Sequence, residues 1–197
     1  MRLILGLGNP GEPYRDTRHN VGFRVVEELA RRWEIPIDGM ECNSLVGRFA
    51  KTADGEDAVL DAVLLVKPQT YMNRSGWAAR CFAERHELDP AAVLVIYDEV
   101  NLPLGKLRLR RGGSPAGHRG LESVIENLRT AEIPRLRLGV APEEGKPAGG
   151  EELVDFVLSP FKPEESEAVE EMIRRAADAC EAWLGEGIEA AMGRFNG

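Results

Sequence analysis

The sequence predicts an α/β fold, with residues 1–197 forming a single three-layer α/β/α domain around a mixed, mostly parallel twisted sheet. Two apolar runs of strand length, Leu3–Leu7 and Ala92–Tyr97, are typical of central strands that are covered on both faces. Segments with apolar residues at helical spacing lie between the strand segments, and this alternation places helices on both sides of a sheet. A chain of this length can bury a full core within one domain.

The first half of the chain alternates between strands and helices. The expected elements are a strand over 2–7, a helix over 20–33, strands over 44–51 and 58–67, a helix over 74–87 and a strand over 92–97. The first helix is predicted from residues at spacings of four, three and four, namely Gly22, Val26, Leu29 and Trp33. Asp54-Gly55 predicts a hairpin turn between the two middle strands. The second helix is expected to pack three residues into the core, namely Trp77, Cys81 and Phe82.

The second half is predicted to add two half-buried strands and three helices. The expected elements are strands around 107–109 and over 135–140, a helix from 120 to about 128, a long helix from Pro163 to Gly185 and a short helix after it. Residues 143–152 consist largely of glycine, proline and acidic residues, which predicts a mobile loop that could serve as a lid.

The composition favours a protein of the cytoplasm. The sequence has neither a secretory signal nor a run of about 20 apolar residues, so we expect a cytoplasmic monomer without membrane contact. The three cysteines, Cys42, Cys81 and Cys180, lie far apart without a Cys-x-x-Cys pair, which argues against a disulfide framework and a structural zinc site. We therefore expect them to be free thiols in the core.

The net charge of −8 is unevenly distributed along the chain. Residues 143–171 contain ten acidic and two basic residues, which accounts for the whole net negative charge and leaves the rest of the chain neutral. Within that remainder, eight residues form a basic segment: Lys106, Arg108, Arg110, Arg111, Arg119, Arg129, Arg135 and Arg137. A binding site for a polyanion is one interpretation of the basic segment, and ordinary solvated strand edges are the other.

Two familiar motifs are considered and not supported by their context. Gly6–Gly11 matches G-x-G-x-x-G, which requires a helix to begin at the later glycines so that its amides hold a pyrophosphate. Pro10 and Pro13 delay the next helix until about residue 20, so we do not expect a dinucleotide site. The histidines at 19, 86 and 118 lack metal-ligand spacing, which disfavours a catalytic zinc, and the latter two are expected to be structural.

His19 is the first candidate catalytic residue, because it lies in a polar loop between a buried strand and a helix. A neutral imidazole can take a proton from water, and Asp98, at the end of strand 92–97, could hold its tautomer and stabilise the imidazolium. Asn9 and Asn73 could donate to an oxyanion or position the water. Each of these residues also has a structural interpretation in a cap or a turn.

Several motifs, in the same order along the chain, resemble bacterial peptidyl-tRNA hydrolases. They are Gly-Leu-Gly-Asn-Pro-Gly (6–11), Thr-Arg-His-Asn (17–20), Lys-Pro-Gln-Thr-Tyr-Met-Asn-Arg-Ser-Gly (67–76), Tyr-Asp-Glu (97–99), Leu-Pro-Leu-Gly (102–105) and Gly-His-Arg-Gly (117–120). The resemblance covers nearly the whole chain. It implies an esterase that hydrolyses the bond between peptide and tRNA, releases both, and uses neither a metal nor an organic cofactor.

The resemblance also implies roles at the matched positions. His19 would be the general base, Asp98 the residue that keeps it basic, and Asn9 the residue that senses the blocked α-nitrogen of the peptide and refuses a charged amine. The peptidyl-adenosine end would be lined by Tyr14, Tyr71 and Asn73. A tRNA phosphate would be held by Arg110 and Arg137, in agreement with the basic segment. Activity should therefore fall at low pH as His19 is protonated.

Arg119 departs from the family pattern, in which Gly-His-Asn-Gly is usual. An asparagine both donates and accepts hydrogen bonds, whereas a guanidinium only donates and carries a permanent charge. We expect Arg119 to contact the RNA backbone near the acceptor end; a neutral family variation is the other interpretation. Two further functions stay open: an RNA-binding protein of the same fold that has lost catalysis, and a nucleotide-dependent enzyme that binds NAD or ATP.

Overall fold

Seven strands and six α-helices make up the fold in a computed structural model, which describes residues 1–52, 59–142 and 149–196. The strands are β1 (Arg2–Gly6), β2 (Gly39–Glu41), β3 (Ser44–Thr52), β4 (Val59–Pro68), β5 (Val93–Pro103), β6 (Leu107–Arg110) and β7 (Arg135–Ala141). The helices are α1 (Val21–Arg32), α2 (Ser75–Arg85), α3 (Arg119–Leu128), α4 (Glu151–Val157), α5 (Ser166–Glu186) and α6 (Ile188–Phe195).

The described strands form one mixed sheet in the order β2-β3-β4-β1-β5-β7-β6. The four central strands, β4, β1, β5 and β7, pair in parallel, and β3 and β6 run antiparallel to their neighbours at either side. This arrangement confirms the predicted mixed sheet. It also places the carboxyl end of β1 beside the middle of β5, since Leu3 lies opposite Val93 and Gly6 opposite Ile96.

Both faces of the sheet are covered, which confirms the three-layer prediction. Successive residues of β1 alternate between two cores, with Ile4 in one and Leu3 and Leu5 in the other. The first core is closed by α1, α5 and α6, and the second by α2 and α3. Alternating side chains of one strand point to opposite faces, so the apolar run in β1 reflects burial on both sides.

Several elements differ from the sequence-based predictions. β5 continues to Pro103, past the apolar run that ends at Tyr97, because its second part still pairs with β7. Trp77 is 59% exposed, so the prediction that it packs into the core is wrong. The strand β2 and the helix α4 were not predicted, and α4 begins at Glu151, inside the segment expected to be a loop. The Asp54-Gly55 turn and residues 143–148 of the expected lid lie outside the described residues.

The cysteines require a correction. Cys42 and Cys81 form a disulfide, with their Cα atoms 5.7 Å apart, whereas free thiols were expected. The two residues are 39 positions apart in sequence, and their proximity arises only when the turn between β2 and β3 packs against α2. Cys180 is a buried free thiol, as expected, and burial raises its pKa well above the usual range. In the described ranges, no helix combines the length and the apolarity needed to cross a membrane.

Candidate active site

His19 and Asp98 meet beside the carboxyl end of β1. His19 lies in a short 3-10 turn, Arg18–Asn20, directly before α1, and Asp98 lies in the buried part of β5, directly after Tyr97. The His19 Nδ1 atom is 2.7 Å from Asp98 Oδ1. The side chain of His19 keeps 14% of its surface exposed, whereas that of Asp98 is almost fully buried at 2%. A buried carboxylate therefore contacts a histidine whose side chain is partly exposed to solvent.

His118 is a third member of this group, which was predicted only to be structural. Its Nε2 atom lies 3.0 Å from the same oxygen of Asp98, and its Nδ1 atom accepts a hydrogen bond of 3.1 Å from the Leu121 backbone N–H at the start of α3. The ring also packs against Tyr97 and His19, at centroid distances of 4.6 and 5.1 Å. His118 thus caps α3 and is also a hydrogen-bond partner of Asp98. Its spacing along the sequence does not reveal the second role.

These hydrogen bonds determine the protonation of both imidazoles. Since His118 Nδ1 accepts from a backbone amide, it carries no proton, and the proton of the neutral ring resides on Nε2 and is donated to Asp98. His19 donates Nδ1–H to the same oxygen, so the lone pair of neutral His19 is on Nε2. The network therefore presents one basic nitrogen, that of His19.

Asp98 is held ionised in this environment. Burial alone raises the pKa of a carboxyl, but the attraction of His19 and His118 and the hydrogen bonds they donate outweigh it and hold the pKa of Asp98 well below its usual range. Burial also raises the pKa of Tyr97 to about 12, so this ring remains a neutral wall beside His118 at physiological pH.

Asn9 is fixed next to this group by hydrogen bonds to two other segments. Its backbone N–H donates to Asn20 Oδ1 at 2.8 Å, and Asn20 Nδ2 donates back to the Asn9 carbonyl at 2.9 Å. Its side-chain Oδ1 accepts from the Met72 N–H at 2.8 Å. This last bond sets the orientation of the amide, so that Nδ2 is the atom directed away from Met72 and able to donate. Asn9 also lines a cleft of about 330 Å³ together with Gly11, Phe23 and Lys67.

The glycines around Asn9 serve packing between β1 and α1. A Cβ atom on Gly6 would lie 2.3 Å from the Gly22 carbonyl oxygen, and one on Gly22 would lie 2.5 Å from the carbonyl oxygens of Leu7 and Ile96. α1 begins at Val21, ten residues after Gly11, which confirms the late helix start expected from the sequence. The G-x-G-x-x-G match is therefore explained by close contact of a helix with the sheet.

Arg18 attaches the turn that carries His19 to α4 and the segment that follows it. Its guanidinium is buried between the rings of Phe156 and Phe161, 4.5 and 4.6 Å from their centroids, and pairs with Glu165 at 2.6 Å. The Arg18 N–H also donates to the Ser159 carbonyl. Sequence reasoning missed this contact because its members come from segments more than 130 residues apart.

The remaining predicted site residues lie around this centre at different depths. Tyr71 and Asn73 are exposed on either side of Met72, whose N–H contacts Asn9, and Tyr14 is half-buried in the turn before Thr17. Arg119 is exposed directly after His118, at the start of α3. The structure therefore joins His19 to Asp98 and Asn9 to the Met72 backbone by hydrogen bonds, and Asn20 connects the two pairs because it follows His19 and bonds to Asn9. Tyr14, Tyr71, Asn73 and Arg119 lie outside these hydrogen bonds.

The basic segment is only partly available to a ligand. Arg108 lies opposite Arg137 and Arg110 opposite Arg135 on β6 and β7, so four arginines share one face of the sheet edge. Arg135, however, is buried and donates to the carbonyl groups of 113, 131 and 133. Arg137 forms two hydrogen bonds with the buried carboxylate of Glu99. The interpretation of the whole segment as a polyanion site is thus wrong for Arg135, which belongs to the core.

His19, Asp98 and His118 also form a group that could hold a metal ion, since their ligand atoms lie within 4.8 Å of one another. The histidines lack metal-ligand spacing along the sequence, but the fold brings His19 and His118 together around Asp98. Both ring nitrogens, however, lie at hydrogen-bond distance from a single carboxylate oxygen, which is the geometry of a proton-bonded network. The absence of a metal cofactor stays a prediction.

Comparisons with known proteins find relatives over nearly the full length of this chain. A family model described as peptidyl-tRNA hydrolase matches residues 3–197. A peptidyl-tRNA hydrolase from Synechococcus sp. is 48% identical over 196 residues, covering 100% of this chain and 83% of the relative. A peptidyl-tRNA hydrolase from Halalkalibacterium halodurans is 45% identical over 196 residues, covering 100% of this chain and 100% of the relative. The crystal structure of peptidyl-tRNA hydrolase from Acinetobacter baumannii superposes with a TM-score of 0.86 at 32% identity, over 100% of this chain and 94% of that one.

Proposed function

The chain belongs to the peptidyl-tRNA hydrolase family, and on that premise we propose that it hydrolyses the ester between peptide and tRNA with His19 as the general base. The observation that carries this proposal is the hydrogen-bond network around Asp98. It supports a neutral His19 with its lone pair on Nε2, the atom that must take a proton from the attacking water.

The reaction needs only this base and donors for the developing charge. The water oxygen attacks the acyl carbon while its proton passes to His19 Nε2, and Asp98 stabilises the imidazolium that forms. When the ester bond breaks, the ribose oxygen takes the proton back from His19, so that free peptide acid and tRNA leave. His118 acts as a positioning residue, because it donates to the same oxygen of Asp98 as His19 without competing as a base.

Asn9 fits the recognition of a blocked peptide. Its Oδ1 is occupied by Met72, so Nδ2 can donate to a carbonyl oxygen of the substrate. A free aminoacyl group would present an ammonium, which cannot accept that bond and would desolvate a charge beside a buried site. Asn73 lies on the same short turn as Met72 and is proposed to line the acyl ester, together with Tyr14 and Tyr71 at the peptidyl-adenosine end.

The tRNA backbone is proposed to lie along the sheet edge of β6 and β7. Arg110 is half-buried, and Arg137 is oriented by its hydrogen bonds to Glu99, so both can present donors to a phosphate. Arg119 is exposed beside His118 and is proposed to contact the backbone near the acceptor end. Arg119→Glu should weaken tRNA binding and lower its salt dependence, and unchanged binding on both counts would contradict this role.

A cytoplasmic location, a single domain over 1–197 and a monomeric state are also proposed. A substrate made by ribosomes supports the location. One sheet that receives strands from Arg2 to Ala141, with helices packed on it as far as Phe195, supports the single domain.

The deciding experiment is a deacylation assay on N-acetyl-aminoacyl-tRNA. The wild-type protein should release free tRNA, and His19→Ala should lower kcat by about 10²- to 10⁴-fold, the usual contribution of a general base. His86→Ala is a matched control, because His86 pairs with Glu41 outside the site and its loss should leave kcat unchanged. Tight tRNA binding by the wild-type protein without turnover would instead identify an RNA-binding protein that has lost catalysis.

A further inference from the structure

Trp77 is an exposed aromatic residue that the proposed site does not use. It is 59% exposed on α2, although burying a tryptophan ring is among the larger apolar contributions to a core. The same helix buries Ala79 and Phe82 toward the sheet, and Gly76 packs on the Ser123 backbone of α3. The contacts of α2 therefore hold Trp77 on its solvent side.

A cation accompanies this ring. The guanidinium carbon of Arg74 lies 5.3 Å from the centroid of the Trp77 ring, at the i, i+3 spacing of one helical face. Among the described residues, Arg74 forms no ion pair, so its charge is available, whereas Arg80, six residues further along, is paired with Glu84 at 2.7 Å. An exposed aromatic face beside an available guanidinium is the combination that binds unpaired bases together with their phosphates.

The position of this pair relates it to the candidate active site. Met72, whose N–H is bonded to Asn9, begins the 3-10 turn that leads directly into α2. Trp77 is five residues further on, about 8 Å along the axis at roughly 1.5 Å per residue. Stacked nucleotides of one strand are spaced by about 3.4 Å, so this distance corresponds to about two nucleotides.

We propose that Trp77 and Arg74 form a stacking platform for an unpaired base that adjoins the terminal nucleoside of the tRNA substrate. The proposal rests on the proposed function and adds a contact to the RNA outside the reacting ester. The base stacks on the exposed face of Trp77, and Arg74 neutralises an adjacent phosphate. The occupant is RNA because the available charge beside the ring is positive and the platform continues from the turn that contacts Asn9.

Two substrates of different length test the platform. N-acetyl-aminoacyl-tRNA contains the adjoining nucleotides, whereas N-acetyl-aminoacyl-adenosine contains only the terminal nucleoside. Trp77→Ala should raise KM for the tRNA substrate by about 5- to 100-fold, the range for loss of one stacked base, with little change in kcat. Its kinetics on the adenosine substrate should equal those of the wild type. Trp77→Phe should restore most of the affinity for the tRNA substrate. Met40→Ala, which removes an exposed apolar side chain on β2, should leave KM and kcat unchanged on both substrates.

Three results would overturn the platform. An unchanged KM of Trp77→Ala on the tRNA substrate would show that no base stacks there, and an equal loss on both substrates would show an effect on the ester site itself. A KM effect that grows with peptide length at constant RNA would identify the peptide as the occupant.

Binding can be measured without turnover, which separates this proposal from the proposed function. Deacylated tRNA should quench a part of the tryptophan fluorescence that is present in the wild-type protein and absent in Trp77→Phe. If the wild-type protein hydrolyses neither substrate, the proposed function fails, and the quenching difference still decides whether the platform binds RNA.

Discussion

The contact between Asp98 and His19 leads to the sharpest prediction, for the variant Asp98→Asn. The substitution keeps the size of the side chain and removes its charge. With the charge centres of the ion pair about 4 Å apart and an effective dielectric constant of about 20, the attraction in the wild type is roughly 4 kcal/mol. Asp98 also contacts the neutral ring of His19 before the reaction, so only the additional attraction to the imidazolium lowers the barrier. We therefore expect kcat/KM to fall by about 10²- to 10³-fold, or roughly 3 to 4 kcal/mol.

The sign of the pH effect follows from the lowered pKa of Asp98. Because this carboxyl stays ionised below the range in which imidazole titrates, the acid limb of the kcat/KM profile reports protonation of the base. Removing the carboxylate destabilises the imidazolium, so the acid limb of Asp98→Asn should move to lower pH, by about one unit or more. The relative loss of activity should therefore be smaller at pH 5 than at pH 8.

The assay is deacylation of N-acetyl-aminoacyl-tRNA from pH 5 to pH 9, with circular dichroism to verify folding. Asp89→Asn is a matched control, since Asp89 caps the turn that precedes β5 and its side chain accepts from the Ala91 N–H, outside the network around Asp98. An acid limb at the wild-type position, with the same loss at every pH, would refute the electrostatic role of Asp98. A flat wild-type profile from pH 5 to 8 would remove His19 from the role of base.

Three other perturbations test separate parts of the structure. Arg110→Gln should raise KM for tRNA and lower the slope of log KM against log salt by about one. The control Arg31→Gln, on the exposed side of α1, should change neither quantity. Equal slopes for Arg110→Gln and the wild-type protein would exclude a phosphate contact. Cys81→Ser should lower the free energy of unfolding by about 4 kcal/mol, since the disulfide closes a loop of 39 residues. Three titratable thiols in the denatured, unreduced wild-type protein would contradict the disulfide itself. Gly22→Ala should cost about 3 kcal/mol in urea unfolding, because its methyl group would lie 2.5 Å from two carbonyl oxygens, and an unchanged midpoint would show that α1 can shift without cost.

Local patterns predicted the fold because each element is specified by its own residues. The apolar runs in β1 and β5, the helical spacing of α1 and the alternation in β6 and β7 depend on burial and therefore appear in the sequence. The strand β2 is three residues long and exposed, so it has no apolar pattern to detect. Trp77 was misplaced because an apolar residue at helical spacing is assigned to the core unless its solvent side is known.

The site could be predicted only as a set of candidates. His19 and Asp98 were identified from their places after strands, which the parallel pairing of β1 and β5 then brings together. His118 was assigned a structural role because nothing in its spacing shows that α3 begins beside Asp98. The pairing of Arg137 with Glu99 was missed for the same reason, since the register of β5 and β7 is a property of the folded sheet.

The site owes its geometry to elements that are themselves fixed elsewhere. His118 is held by the first turn of α3, and the turn of His19 is held through Arg18 by two aromatic rings and Glu165. Asn9 is held by Asn20, the residue next to His19, so the proposed base and the amide proposed to bind the substrate share one support. Since a base and its oxyanion donors must stay within about 0.5 Å of their productive positions, we expect these contacts to support the proposed reaction by limiting motion. Loosening the Arg18 contact should therefore lower kcat in the deacylation assay with little change in KM, because the guanidinium of Arg18 is buried against Phe156, Phe161 and Glu165.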